Sequence, residues 1–243
     1  MTAAEKATAV IAAAGSGERL GAGPKALVEL AGRPMLAWSL RAFASARSVG
    51  AAIVAAPPGA EDAVATVSAG VAGLETTVVA GGDSRSESVS LALAQVATDV
   101  VAVHDAARPL VTPALVDLLV GELKASPEAA GAIAAARLVD TVKRAREADS
   151  TPGETPRGAP TVAETLDRGR LWAAQTPQVF RREALREALR LGPADLARAT
   201  DDAMLVERAG GRVLIRESPH PNLKVTTALD LRVAGLLLAR ASS

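Results

Sequence analysis

The sequence predicts an α/β fold, a mostly parallel sheet flanked by helices. Two observations carry that prediction: short apolar runs alternate with segments whose apolar residues recur at helical spacing, and nearly half of the 243 residues are apolar, which is ample for a core. The candidate strands are Thr8 to Ala13, Ala51 to Ala55, Thr76 to Val79, Val100 to Val103, Gly131 to Ala136 and Arg212 to Ile215.

The first of these, "TAVIAA", follows Lys6 and has the look of a short secretory signal. That reading fails because "GSGERL" interrupts the run at once and Glu5 weakens the basic flank. A first core strand explains the same pattern. The next element is a helix, with Leu36, Leu40 and Phe43 spaced i, i+4, i+7. Further on, Val116, Leu119, Val120 and Leu123 mark a second apolar stripe, and Pro113 suits the first turn of that helix. A last helix is expected after Thr227, whose hydroxyl is placed to cap it with Asp230 three positions on.

One segment breaks the alternation. "RAREADSTPGETPRGAPT", from Arg144 to Thr161, is rich in Pro, Gly and charge and has no apolar period, so it supplies no core face and is expected to project. The organisation expected is therefore one domain over residues 1–243 with an arm at about 138–170.

Composition removes several functions. Lys plus Arg and Asp plus Glu number 27 each, so the overall field offers no reason to bind a nucleic-acid polymer or an anionic membrane, and any anion site must be local. The absence of cysteine removes disulfides, thiolate metal sites and thiol nucleophiles, and fits a reducing compartment. With no run near the ~18 apolar residues of a membrane span, a cytoplasmic protein is expected.

Three clusters sit after candidate strands, where open α/β sheets place their ligands. The first holds Gly15, Gly17 and Gly21 with Arg19 and Lys25. The spacing matches neither the dinucleotide fingerprint nor the Walker loop. Glycines after a strand often only make a turn, but two cations in the same loop, with Pro24 holding the chain extended before Lys25, point to phosphate. In the second, "AGGDSRSESV", Gly81 and Gly82 permit close backbone approach. Asp83 and Ser88 are candidates to read a small ligand, or Asp83 and Ser84 simply cap the helix that follows. The third, "VHDAARPL", puts Asp105 at a strand exit as a candidate ligand for Mg²⁺, with Arg108 nearby. His104 beside it reads as a hydrogen-bonded structural residue. Thr141, Lys143, Arg168 and Lys224 are single polar residues next to strands or turns, and Trp172 reads as packing.

Taken in order, "AAAGSGERL", "GPKAL", "GGDSRSESV", "VHDAARPL", "VDTVKR", "WAAQTPQVF", "ATDDA" and "NLKVT" resemble the motifs of the 2-C-methyl-D-erythritol 4-phosphate cytidylyltransferase family. The resemblance implies a Rossmann-like nucleotidyltransferase fold with a protruding β-arm used in homodimerisation. It implies CTP and a polyol phosphate as substrates and Mg²⁺ as cofactor. By this resemblance Ala13, Ala14, Gly15, Gly17, Gly82, Asp83, Ser88 and Asp105 bind CTP, Asp105 lying near the metal. Arg19, Lys25, Lys224 and Arg168 are implied as the catalytic cations. Arg108, Thr141, Arg168 and Lys224 are implied at the polyol-phosphate site, Thr141 and Arg168 reaching it from the neighbouring subunit. Two other readings stand beside this one: a ribitol-5-phosphate cytidylyltransferase, which shares the glycine-rich start, and a nucleotide-binding module without turnover. A dinucleotide oxidoreductase fails on glycine spacing.

Overall fold

A computed structural model describes residues 6–15, 23–146, 159–218 and 221–241. Four parallel strands form one half of the central sheet: β1 (Ala7–Ala12), β4 (Val49–Ala56), β5 (Glu75–Ala80) and β6 (Val100–Asp105). Between β1 and β4 lies a small hairpin of β2 (Glu29–Leu30) and β3 (Arg33–Pro34). The other half contains β7 (Gly131–Arg137), β10 (Trp172–Arg181) and β11 (Val213–Glu217). The seven-stranded order is β11-β7-β10-β6-β1-β4-β5, with β10 antiparallel to both neighbours. The two remaining strands, β8 (Lys143–Arg146) and β9 (Thr161–Thr165), pair only with each other.

The inner strands β1, β4 and β6 read as apolar runs because both of their faces are covered, while β5 at the sheet edge is only partly buried. Along β1, Ala9 and Ile11 point to one side and Val10 to the other. On the first side pack α1 (Met35–Ser45) and α4 (Pro113–Ala125), through Leu36, Leu40 and Phe43 and through Val116, Leu119, Val120 and Leu123. These are the two predicted stripes. The second side is covered by α3 (Arg85–Leu93), α5 (Arg182–Ala188) and α7 (Asp202–Arg208), with Val89, Leu185 and Leu205 buried. Two further helices are α2 (Glu61–Ala69) and α6 (Pro193–Arg198); these, like α5 and α7, had no counterpart in the sequence reading.

The predicted caps form. Pro113 opens α4 behind Thr112, which accepts a hydrogen bond from the Leu115 N–H. Helix α8 (Ala228–Ala241) begins with the expected box: Thr227 Oγ1 accepts from the Asp230 N–H at 3.2 Å, and Asp230 Oδ2 accepts from the Thr226 and Thr227 N–H groups at 2.9 and 2.8 Å. Val225 and Leu30 are buried with Ala234 and Leu238 of α8, which ties this C-terminal segment to the β2–β3 hairpin.

The ribbon β8–β9 flanks the segment without an apolar period, of which residues 147–158 lie outside the described residues. Every residue of both strands is exposed, so no alternation is imposed on the sequence. The strand that sequence reading missed is β10. Its outer half is exposed and its inner half carries Gln175, Thr176 and Gln178 where an apolar run would be expected, with a cis bond between Thr176 and Pro177.

Candidate active site

Strand order fixes where a ligand can sit. From β1 the chain proceeds to β4 and β5 on one side, then returns to β6 on the other, so the connections diverge above the carboxyl ends of β1 and β6. There lies a cleft of about 390 Å³, lined by Ala12 to Gly15, Lys25, Ala26, Gly82 to Arg85, Ser88, Asp105 to Ala107 and Lys224. The three clusters that the sequence places after strands all enter it, and Lys224 joins them from the C-terminal segment.

Backbone hydrogen bonds hold those segments. Ala106 N–H donates to Ala12 O at 3.1 Å, and Lys25 N–H donates to Gly15 O at 3.3 Å, closing the first loop at its base. Gly17 and Arg19 lie outside the described residues. Lys25 opens a 3₁₀ turn, and Ala26 beside it is buried, so the backbone under the lysine is anchored. At Gly81 a Cβ would stand 2.6 Å from the Ala14 Cβ and 2.9 Å from Ala56 O. Only glycine lets the β5 loop approach the β1 loop this closely.

Ser84 caps α3 by accepting from the Glu87 N–H at 3.1 Å, and Glu87 accepts from the Asp83 N–H at 2.8 Å. The capping role therefore belongs to Ser84. Asp83 is left with its carboxylate on the cleft lining. Ser88 is buried; its hydroxyl donates to Ser84 O at 2.9 Å and accepts from the Gly82 N–H at 3.1 Å. It shapes the glycine loop rather than presenting a free hydroxyl.

Asp105, the last residue of β6, is the electrostatic centre. Its Oδ1 is 3.1 Å from Arg85 Nε and its Oδ2 is 2.8 Å from Lys224 Nζ. Burial alone would raise its carboxyl, but Arg85 and then Lys224 outweigh burial and hold it well below the usual carboxylate range. Arg85 is likewise opposed by burial, and Asp202 and Asp105 overcome that to keep it firmly charged. Lys224 stays 45% exposed, so its ammonium can still meet a ligand. Its segment is fixed on either side: Asn222 Nδ2 donates to Thr176 O at 2.6 Å, and the Val225 N–H donates to Ala107 O at 2.8 Å.

His104 is structural, as its sequence context suggested. Arg108 O can only accept, so the 3.2 Å contact places the proton on Nε2, and Nδ1 then accepts from Thr176 Oγ1 at 3.1 Å. Thr176 Oγ1 in turn accepts from the Asp105 N–H at 3.0 Å, so this neutral imidazole steadies the acidic residue through one hydroxyl. Burial is the main cause that lowers the imidazole from 6.5 to about 4. Between those values the unfolded chain binds the proton that the folded chain refuses, so stability falls as pH falls. The contribution is complete above pH 6.5 and about 3 kcal/mol of it is gone by pH 4. Urea unfolding between pH 7.5 and 4 is expected to show a shallower acid decline in His104→Gln than in the wild type. Parallel declines would contradict the buried neutral ring.

Among the described residues, three predicted site residues do not line the cleft. Arg108 lies behind it, partly buried, donating from Nη1 to Asn222 O at 2.7 Å. Thr141 is exposed where the β8–β9 ribbon leaves the sheet. Arg168 is exposed in the turn after β9, where it donates to Val139 O. Trp172 does pack, but against a cation: the Arg137 guanidinium lies 4.3 Å from its ring centroid. Sequence reading missed Arg85 and Asp202, whose carboxylate is 2.8 Å from Arg85 Nη1. Both stand inside quoted motifs, but no local pattern links them.

The profile of the family described as 2-C-methyl-D-erythritol 4-phosphate cytidylyltransferase matches residues 7–240. The chain belongs to this family. It is 41% identical to the 2-C-methyl-D-erythritol 4-phosphate cytidylyltransferase of Acidobacterium capsulatum, across 96% of this chain and 98% of that one. The enzyme of the same name from Streptomyces avermitilis is 43% identical, across 97% and 92%. Among solved structures, the 2-C-methyl-D-erythritol 4-phosphate cytidylyltransferase of Thermus thermophilus superposes with a TM-score of 0.73 at 31% identity, covering 96% of this chain and 99% of that one. The Rossmann-like fold inferred from the motifs is thus the fold of the family. Among the described residues no helix is long and apolar enough to cross a membrane.

Proposed function

We propose that this chain transfers CMP from CTP to 2-C-methyl-D-erythritol 4-phosphate, giving 4-diphosphocytidyl-2-C-methyl-D-erythritol and pyrophosphate. The observation that carries the reading is that Arg85 and Lys224 are ion-paired to Asp105 in a cleft at the divergence of β1 and β6 that Lys25, Gly15 and Gly82 also line. A phosphate oxygen of the polyol phosphate attacks the α-phosphorus of CTP. The bond from that phosphorus to the bridging oxygen breaks, and pyrophosphate leaves with the electron pair.

A phosphate monoester has a second pKa near 6, so the nucleophile is already a dianion at neutral pH and needs no protein base. The neutral, buried His104 is therefore no loss to the mechanism. What must be overcome is repulsion: unit charges ~4 Å apart interact by about 4 kcal/mol at an effective dielectric of about 20. Lys25, Arg85 and Lys224 supply fixed positive charge against it, and Arg19, outside the described residues, is the further cation the family resemblance implies, while the molecule as a whole stays neutral.

The residues fit a magnesium ion. Mg²⁺ takes one or two carboxylates and completes its shell with substrate phosphate oxygens and water. Asp105, ionised on a cleft lining that also includes Asp83, is a donor of that kind. When bound, the ion would neutralise phosphate charge in the transition state. In the same reading two copies associate through the arm in the cytoplasm. Thr141 and Arg168, exposed on one copy, then reach the polyol phosphate held by the other.

Pyrophosphate release from CTP and Mg²⁺ tests the reading, with 2-C-methyl-D-erythritol 4-phosphate in one arm and ribitol 5-phosphate in another. Turnover with the methylerythritol phosphate at least tenfold above ribitol phosphate is expected. Preference for ribitol phosphate would replace the assigned substrate, and release with neither would leave only a nucleotide-binding module.

A further inference from the structure

Asp202 is not part of the cleft lining, yet its carboxylate is fully buried at the start of α7. Neither of its oxygens is satisfied by a backbone or neutral side-chain donor among the described residues; what faces it is Arg85 Nη1 at 2.8 Å. Burial outweighs the pull of Arg85 and leaves the Asp202 carboxyl above its usual range. A buried ion pair of this kind adds little stability over apolar residues of the same volume, so packing alone does not account for it.

What it does account for is alignment. The same guanidinium reaches Asp105 Oδ1 through Nε, and the other oxygen of Asp105 holds Lys224 Nζ. Asp202, Arg85, Asp105 and Lys224 thus form one line of alternating charge from the interior to the cleft. Its buried end cannot retreat. Gln178 of β10 donates from Nε2 to Asp201 Oδ2 at 2.8 Å and accepts from the Ala203 N–H at 3.1 Å, pinning the first turn of α7 on both sides of Asp202. Without Asp202, Arg85 would keep only its cleft-side partner and be drawn toward a bound triphosphate, taking Asp105 and Lys224 out of register.

We infer that Asp202 is a positioning residue for the transfer reaction, holding Arg85 so that Asp105, and through it the Lys224 ammonium, keep one orientation toward the triphosphate. The inference rests on the reaction proposed above and names the group that pre-organises its cations. A displacement of about 1 Å at such a site can cost roughly 100-fold in rate.

Steady-state kinetics on the full chain with CTP and 2-C-methyl-D-erythritol 4-phosphate tests it, comparing wild type, Asp202→Asn, Lys224→Met and the double variant. Asp202→Asn keeps the shape and removes the charge. It is expected to lower kcat by about 30-fold with KM for CTP changed less than about threefold. In the Lys224→Met background the same change is expected to cost several-fold less, because the last of the groups it positions is gone while Arg85 and Asp105 remain. Equal losses in both backgrounds would mean a merely structural role and overturn the inference, as would wild-type turnover by Asp202→Asn. Should Asp202→Asn fail to fold, Asp202→Glu, which keeps the charge but displaces it by one methylene, runs the same cycle with the same deciding outcomes. No pyrophosphate from the wild type would remove the reaction itself and this inference with it. Additive losses in an active enzyme would remove this inference alone.

Discussion

Lys25→Ala is expected to lower kcat/KM by roughly two orders of magnitude or more while the protein stays folded, the loss typical of one electrostatic contact made in the transition state. The lysine lies on the cleft lining, and its backbone is held independently of its side chain by the bond to Gly15 O and by the buried Ala26 next to it. Truncating a half-buried side chain at the surface should cost little stability, so melting within a few degrees of wild type separates the chemistry from the fold. Arg19→Ala is expected to behave alike. A folded Lys25→Ala enzyme turning over at the wild-type rate would remove Lys25 from the mechanism.

Asp105→Asn is expected to lower kcat by about 100-fold without raising KM for CTP. Two effects oppose each other here. Removing a negative charge beside Arg85 and Lys224 makes the cleft more positive, which favours ground-state binding of the triphosphate. The same change releases the Lys224 ammonium and withdraws the carboxylate offered to Mg²⁺, which costs orientation and charge stabilisation in the transition state. The second effect acts on the barrier, so it decides kcat, while KM is governed by the first. The fold should survive because Arg85 retains Asp202. Steady-state kinetics at varied CTP distinguishes the outcomes: a raised KM with unchanged kcat would make Asp105 a ground-state binding residue only.

What the sequence made legible follows from what each element does. Strands β1, β4, β6 and β7 are largely buried, so burial writes itself as apolar runs, and these strands together with the partly exposed edge strands β5 and β11 were each located to within about two residues. Strand β10 was hidden because its inner half is polar by necessity: Thr176 serves Asp105 and His104, and Gln178 serves α7. The ribbon β8–β9 was legible only as an absence of pattern, and its pairing came from the family resemblance.

The site divides the same way. Gly15, Lys25, Gly82, Asp83 and Asp105 follow strands and could be read from local context. Lys224 meets Asp105 across 119 positions of chain, and only the resemblance singled it out. The Arg85–Asp202 pair was invisible, since a buried carboxylate at the start of a short helix looks like any helix-capping aspartate until its partner is placed beside it.

The account requires that one rim of the sheet hold the triphosphate of CTP against fixed cations. A crystal structure of the full chain with CTP and Mg²⁺ measures that placement. The phosphates are expected within hydrogen-bonding distance of Lys25 and Lys224, with the base lodged against the Gly82 and Asp83 loop. CTP bound elsewhere on the molecule, or lying in the cleft with its phosphates directed away from both lysines, would contradict the account.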